Sequence, residues 1–153
     1  MTMRRVAIVP LAVLAAALVV TAFAVGGSAV KPAAKKFSAT LNVGQETGVA
    51  KSTQRGAAGR FTATLNGTTL SYRLTFAHLS GPAIAAHIHG PAARHVSAAV
   101  LVPLCGPCSS PVTRTATLTS SEISLMEAGK TYVNVHTAKN PNGEIRGQIT
   151  AVG

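Results

Sequence analysis

The chain contains no aspartate and no tryptophan. The missing aspartate excludes Asp-based calcium loops, an Asp-containing hydrolase triad and an aspartic dyad. Glu46, Glu122, Glu127 and Glu144 are the only side-chain carboxylates. Aromatics are scarce, at 4% of residues, so there is no platform of stacked rings such as single-strand binders use. The basic residues (Lys51, Arg55, Arg60, Arg73, Arg94, Arg114) are scattered. Nucleic acid is therefore not the expected partner. No serine lies in a nucleophile elbow, and no glycine-rich loop suits a phosphate.

Positive charge is what the chain has in excess, with a formal net charge of +10. Without Arg4 and Arg5, 12 basic residues face four glutamates, leaving +8. Such a balance favours anionic partners, either cell-envelope polymers or acidic lipid headgroups. The plainer reading is a well-solvated surface. The expected partner is an unidentified protein or an anionic envelope component.

The N-terminus reads as a targeting segment. Arg4-Arg5 precedes an apolar run from Val6 to Val25, and small residues crowd its end at Ala22-Phe23-Ala24 and Gly27-Ser28-Ala29. This predicts a signal peptide over 1–29, with an uncleaved N-terminal anchor as the alternative. Membrane association is expected only through that leader. A Lys/Pro/Ala linker follows over 30–36, then one domain over 37–153. The expected location is extracytoplasmic: secreted, periplasmic or cell-envelope.

Within the domain, apolar and polar residues alternate at Phe37–Leu41, Arg60–Leu65 and Leu70–Phe76, the period of a half-buried strand. Asn66-Gly67 between the last two predicts a hairpin, with the Asn serving positive φ. Further strands are expected at Ile84–His89, Ala98–Val102, Val112–Leu118, Thr131–Thr137 and Glu144–Val152. The wholly apolar Ala98–Val102 is expected to be buried on both faces. Thr119-Ser120-Ser121-Glu122 is a capping box opening one short helix, with Gly129 at its C-terminal end. About eight strands and one helix predict an all-β fold, an antiparallel Greek-key β-sandwich.

The chemistry-bearing residues concentrate on two strands. In Ala86-His87-Ile88-His89-Gly90-Pro91, His87 and His89 are two apart and share a face, with Ile84, Ala86 and Ile88 on the other. Tyr132, Asn134 and His136 likewise share a face. If the two strands are neighbours, His87, His89 and His136 converge as a copper or zinc ligand set. Otherwise they hydrogen-bond backbone or the Glu144 carboxylate and fix loop geometry. His95 is a further candidate ligand, and His78 reads as a structural or surface histidine. Cys105-Gly106-Pro107-Cys108 has the letters of a redox motif, but Pro111 stands where a helix should begin. A disulfide clip comes first, a redox pair second and Cu(I) ligation third. Glu144 and Arg146 share a strand face and could pair laterally, supporting the loops. A general acid/base pair of Glu46 and Glu144 has no support in their spacing.

Phe37-Ser38-Ala39-Thr40-Leu41, Gly44-Gln45-Glu46, Leu70-Ser71-Tyr72, Ala86-His87-Ile88-His89-Gly90-Pro91-Ala92, Tyr132-Val133-Asn134-Val135-His136-Thr137 and Asn142-Gly143-Glu144-Ile145-Arg146-Gly147-Gln148 occur in that order. Together they resemble the CHRD domain, the module repeated in chordin and found singly in secreted bacterial proteins. The resemblance implies a β-sandwich, an extracytoplasmic location and a binding role without established enzymatic activity. Two departures stand out. Thr47-Gly48-Val49-Ala50 replaces a proline-rich segment, and the cysteine loop is not a usual family feature. A looser likeness to copper/zinc superoxide dismutases stops at the zinc site, which needs the aspartate this chain lacks. The expectation is a non-catalytic binding protein, with metal binding through the histidines as the alternative.

Overall fold

In the computed structural model, residues 33–48 and 56–153 are described; the expected leader (1–29) lies outside them. The first three strands form a meander: β1 (Lys35–Asn42), β2 (Ala58–Asn66) and β3 (Thr69–Ala77). Their alternation does what a period of two dictates. Phe61, Ala63 and Leu65 on β2, and Leu70, Tyr72 and Leu74 on β3, point inward and are buried. Each large apolar side chain removed from water in this way contributes about 1.5–3 kcal/mol. The linker expected over 30–36 ends sooner, because Lys35 and Lys36 pair with Leu65 and Thr64 and so belong to β1.

The hairpin forms, one residue later than expected. Asn66 pairs with Thr69, so Gly67 and Thr68 are the two turn residues. Gly67 takes φ +60°, whereas Asn66 stays in the strand. Glycine at the first turn position is the II′ pattern, whose twist suits a tight hairpin.

The remaining elements are β4 (Ala83–His89), β5 (Val100–Cys105), β6 (Val112–Thr117), α1 (Ser120–Glu127), β7 (Tyr132–Thr137), β8 (Ile145–Gln148) and β9 (Thr150–Val152). All pairings are antiparallel, in the order β5-β4-β7-β8-β1-β2-β3-β6, with β9 also on β1. The all-β class is as expected. The ladder, however, traces one continuous sheet rather than the two facing sheets of a Greek-key sandwich. β8 and β9 both register with β1, which stitches the histidine-bearing half to the meander. The sheet curls until its edges β5 and β6 touch, a nearly closed barrel. Across the interior, the Tyr72 hydroxyl donates to the Leu104 carbonyl at 2.7 Å, tying β3 to β5. Gly147 permits the β8–β1 approach, since a Cβ there would sit 2.6 Å from the Thr40 carbonyl oxygen.

Three local expectations change. Ile84 is 45% exposed instead of packed inward, because the β4–β7 register slips between Ala83 and Ala85. Strand β5 starts at Val100 rather than Ala98, and Val100 is exposed, because β5 is an edge of the sheet and has a neighbour on one side only. The final strand divides at Ile149 into β8 and β9. The helix is as read. Thr119 Oγ1 accepts from the Glu122 N–H at 3.2 Å, and the Glu122 carboxylate accepts from the Thr119 N–H at 2.7 Å. Gly129, at φ +65°, closes its C-terminal end. Met126 is its buried anchor. No helix among the described residues is long and apolar enough to cross a membrane.

Candidate metal centre

Strands β4 and β7 are neighbours, and their register assembles the site. His87 lies opposite Asn134, His89 opposite Tyr132 and Ala85 opposite His136. Ala86 and Ile88 fill the interior at 0 and 1% exposure. The alternate residues His87, His89, Tyr132, Asn134 and His136 therefore share the outer face. One nitrogen from each of His87, His89 and His136 lies within 4.8 Å of the other two. The ring centroids are 5.0 Å apart for His87–His136, 5.5 Å for His87–His89 and 5.8 Å for His89–His136.

Backbone carbonyls set the tautomers. His136 Nδ1 is 3.0 Å from the Pro141 carbonyl oxygen, and His89 Nδ1 is 3.0 Å from that of Ala98. A carbonyl only accepts, so both Nδ1 atoms carry the proton and both Nε2 atoms carry a lone pair. His136 Nε2 lies 3.2 Å from His87 Nδ1, which donates to it. His89 Nε2 is buried with no partner. An unsatisfied buried acceptor costs about 1–3 kcal/mol, which a ligand at that position would relieve. Burial pushes all three imidazoles below their ordinary value, His136 to about 4. The rings are thus neutral at neutral pH; the Nε2 lone pair of His89 is free, and that of His136 is held by the His87 Nδ1–H, which a bound ion would have to displace. Three neutral imidazoles, two of them anchored from behind by carbonyls, form a donor set suited to Zn(II) or Cu(II).

The walls come from β7, β8 and the loops. The Tyr132 ring stacks on His89, with centroids 4.9 Å apart and planes at 5°. The Arg146 guanidinium carbon sits 3.4 Å from the Tyr132 ring centre. Arg146 itself is 1% exposed and donates to the carbonyls of Ala93 and Val96, each at 2.9 Å. It thereby pins the 91–98 loop that supplies the Ala98 carbonyl. Gln148 donates to the carbonyls of Ala92 and Gly129 at 2.9 Å. Asn134 reaches Glu46 at 3.5 Å. The Glu46 carboxyl is raised to about 7, chiefly by burial, with the charge of Arg146 opposing. Glu46 Oε1, Asn134 Oδ1 and Gln148 Oε1 are also buried and unpartnered.

The other expected residues separate from this cluster. The Glu144 carboxylate accepts from the Ser80 N–H, the Ser80 hydroxyl and the Thr137 hydroxyl, each at 2.6 Å, and from the Asn140 amide at 3.1 Å. Burial alone would raise its pKa, but these bonds together hold it below the usual range. It ties the β3–β4 turn to the β7–β8 turn. The lateral pairing of Glu144 with Arg146 does not form, since each is engaged elsewhere; both still support loops. Glu46 and Glu144 occupy different clusters and make no acid/base pair. His95 and His78 are exposed, both at positive φ, and His95 stands outside the histidine trio. Cys105 ends β5, and its sulfur lies 2.09 Å from that of Cys108. Cys108 also bridges to Ala83. No helix follows the pair before β6, so the setting of a redox motif is missing.

The supporting carbonyls, the Arg146 tether and the Glu46–Asn134 contact were not readable from spacing. The only signal was that Tyr132 and Asn134 share the His136 face.

No curated protein and no solved structure matches the chain. The family model of the CHRD domain matches residues 37–149, taking in all three histidines, both cysteines and the Glu144 knot. The protein belongs to the CHRD domain family.

Proposed function

We propose that this chain is an exported, non-catalytic binding protein whose CHRD domain holds one divalent transition-metal ion, copper or zinc, on His87, His89 and His136. One observation carries the reading: three imidazoles converge with the Nδ1–H groups of His89 and His136 committed to carbonyls. The orphaned, buried Nε2 of His89 supports it, because a purely structural histidine cluster would satisfy its nitrogens. The ion would bind through neutral imidazoles with water or another group completing its shell. Export accords with the apolar leader and with the paired cysteines, which favour an oxidising compartment.

The test is calorimetric titration of chelator-stripped protein with Cu(II) and with Zn(II). Binding of one ion per chain is expected, along with a rise in melting temperature. At a free ion concentration of 100 times Kd, the gain corresponds to about 2.7 kcal/mol. The His87→Ala/His89→Ala variant should fold, by circular dichroism, and lose the binding. Equal affinity in wild type and variant overturns the assignment.

A further inference from the structure

On the outer side of the meander, away from the histidines, the alternate residues face solvent in rows. Lys36, Thr64, Ser71 and Thr115 lie in one row across β1, β2, β3 and β6; Ser38, Thr62, Arg73 and Thr113 lie in the next. Arg60 extends the surface along β2; Arg114, opposite the inward-pointing Tyr72, is on the other face of the edge strand β6 and reaches only its rim. These residues line an open cleft of about 730 Å³. Three cationic residues of this face, Lys36, Arg60 and Arg73, line it, and no glutamate does.

The positive charge is uncompensated for a reason visible in the fold. Each of the four glutamates is used elsewhere. Glu144 is buried in its knot, Glu46 lies beside Asn134, Glu122 caps α1 and Glu127 pairs with Lys35 at 2.6 Å. Of the cleft's cations, only Arg73 has a side-chain partner, the neutral Thr113 hydroxyl at 3.4 Å.

We propose that this cleft binds an extended anionic polysaccharide, one whose sugar units carry carboxylate groups. The three cations match the acid groups. The hydroxyls of Thr62, Thr64, Ser71, Thr113 and Thr115 match sugar hydroxyls, each able to donate and accept. The composition suits a polymer chain better than a bilayer, since Val152 is the cleft's one large exposed aliphatic. Nucleic acid is a poorer match, because the aromatic residues of this region, Phe37 and Tyr72, are buried and no base could stack on them. The site is independent of the histidine cluster.

The intact chain is passed over immobilised polygalacturonate, over neutral dextran and over vesicles of mixed phosphatidylglycerol and phosphatidylcholine. Binding to polygalacturonate alone is expected, weakening as salt rises. Arg60→Glu/Arg73→Glu should lower the affinity about tenfold or more, since two exposed ion pairs are lost and repulsion replaces them. Lys130→Glu/Lys139→Glu changes the net charge equally at exposed sites outside the cleft and should leave affinity within about twofold. An equal loss in both variants reduces the effect to net charge and overturns the site. Tighter binding to the vesicles than to the polymer overturns the choice of ligand.

Discussion

Two buried polar clusters begin one residue apart on β7, and they are built on opposite principles. His136 points to the outer face and joins His87 and His89; Thr137, next along the strand, joins the Glu144 knot. In the knot, one carboxylate receives four hydrogen bonds. In the histidine cluster and its walls, four acceptor atoms, on His89, Glu46, Asn134 and Gln148, are buried without a partner. A satisfied network rigidifies; a partly satisfied one is costly unless something else arrives to complete it. The knot is therefore architecture, and the histidine face is the one left incomplete.

Removing the centre of the knot should have the largest effect. Glu144→Ala strands the Ser80, Thr137 and Asn140 donors in a buried site and should cost about 3–5 kcal/mol, read by urea unfolding. A loss below about 1 kcal/mol would remove the distinction between the clusters.

The histidine side should instead show itself through pH, in the metal-free protein. His136 has a folded pKa of about 4, below its ordinary value of 6.5. Between those values the unfolded chain holds the proton and the folded chain does not, so stability falls as pH drops through that window. Glu46 acts oppositely. Its pKa is raised from 4.5 to about 7, so the folded state holds the proton there, and stability falls as pH rises from 4.5 towards 7. Each effect is on the order of 1–2 kcal/mol after allowing for solvent. The pKa values of His87 and His89 are lowered as well and add to the His136 effect, so thermal melts should show the wild type losing stability as pH falls towards 4. His136→Gln should make that slope shallower, and Glu46→Gln should make it steeper. Parallel curves for all three proteins would show that neither group is held as described. Glu144, held below its usual range, loses its contribution only in more acidic solution.

The Cys105–Cys108 clip lies outside both clusters and should matter least to the comparison. It closes a span of three residues, for which loop entropy supplies at most about 2 kcal/mol. Cys105→Ser/Cys108→Ser should lower stability by that much or less and leave metal affinity unchanged. Thiol titration of the unreduced protein should find no free sulfhydryl. Two free thiols, or lost metal binding in the variant, would draw the cysteines into the site.

Much of the local structure was legible because short-range rules decide it. The alternation of Phe61, Ala63 and Leu65 set the buried face of β2, and Thr119 with Glu122 set the start of α1. His87 and His89 had to share a face at any register. The errors arose where a neighbour intervened. Ile84 read as an inward residue but turned out at a register slip. Val100 read as doubly buried but lies on a sheet edge. Arg146 read as a partner for Glu144, yet its partners, the carbonyls of Ala93 and Val96, lie some fifty residues away in sequence.

By itself the sequence determined the strand periodicity, the helix cap, the two-histidine face and, through its missing aspartate, the exclusion of a dismutase-like zinc site. These follow from backbone geometry and from the inventory of side chains, neither of which depends on what packs where. The tertiary structure alone decided that β4 and β7 are adjacent, which turns a pair of histidines into a trio. It also decided which carbonyls hold the rings, and which of four glutamates is spent on architecture. Those outcomes depend on contacts between distant segments, whose register is set by the closing of the whole sheet.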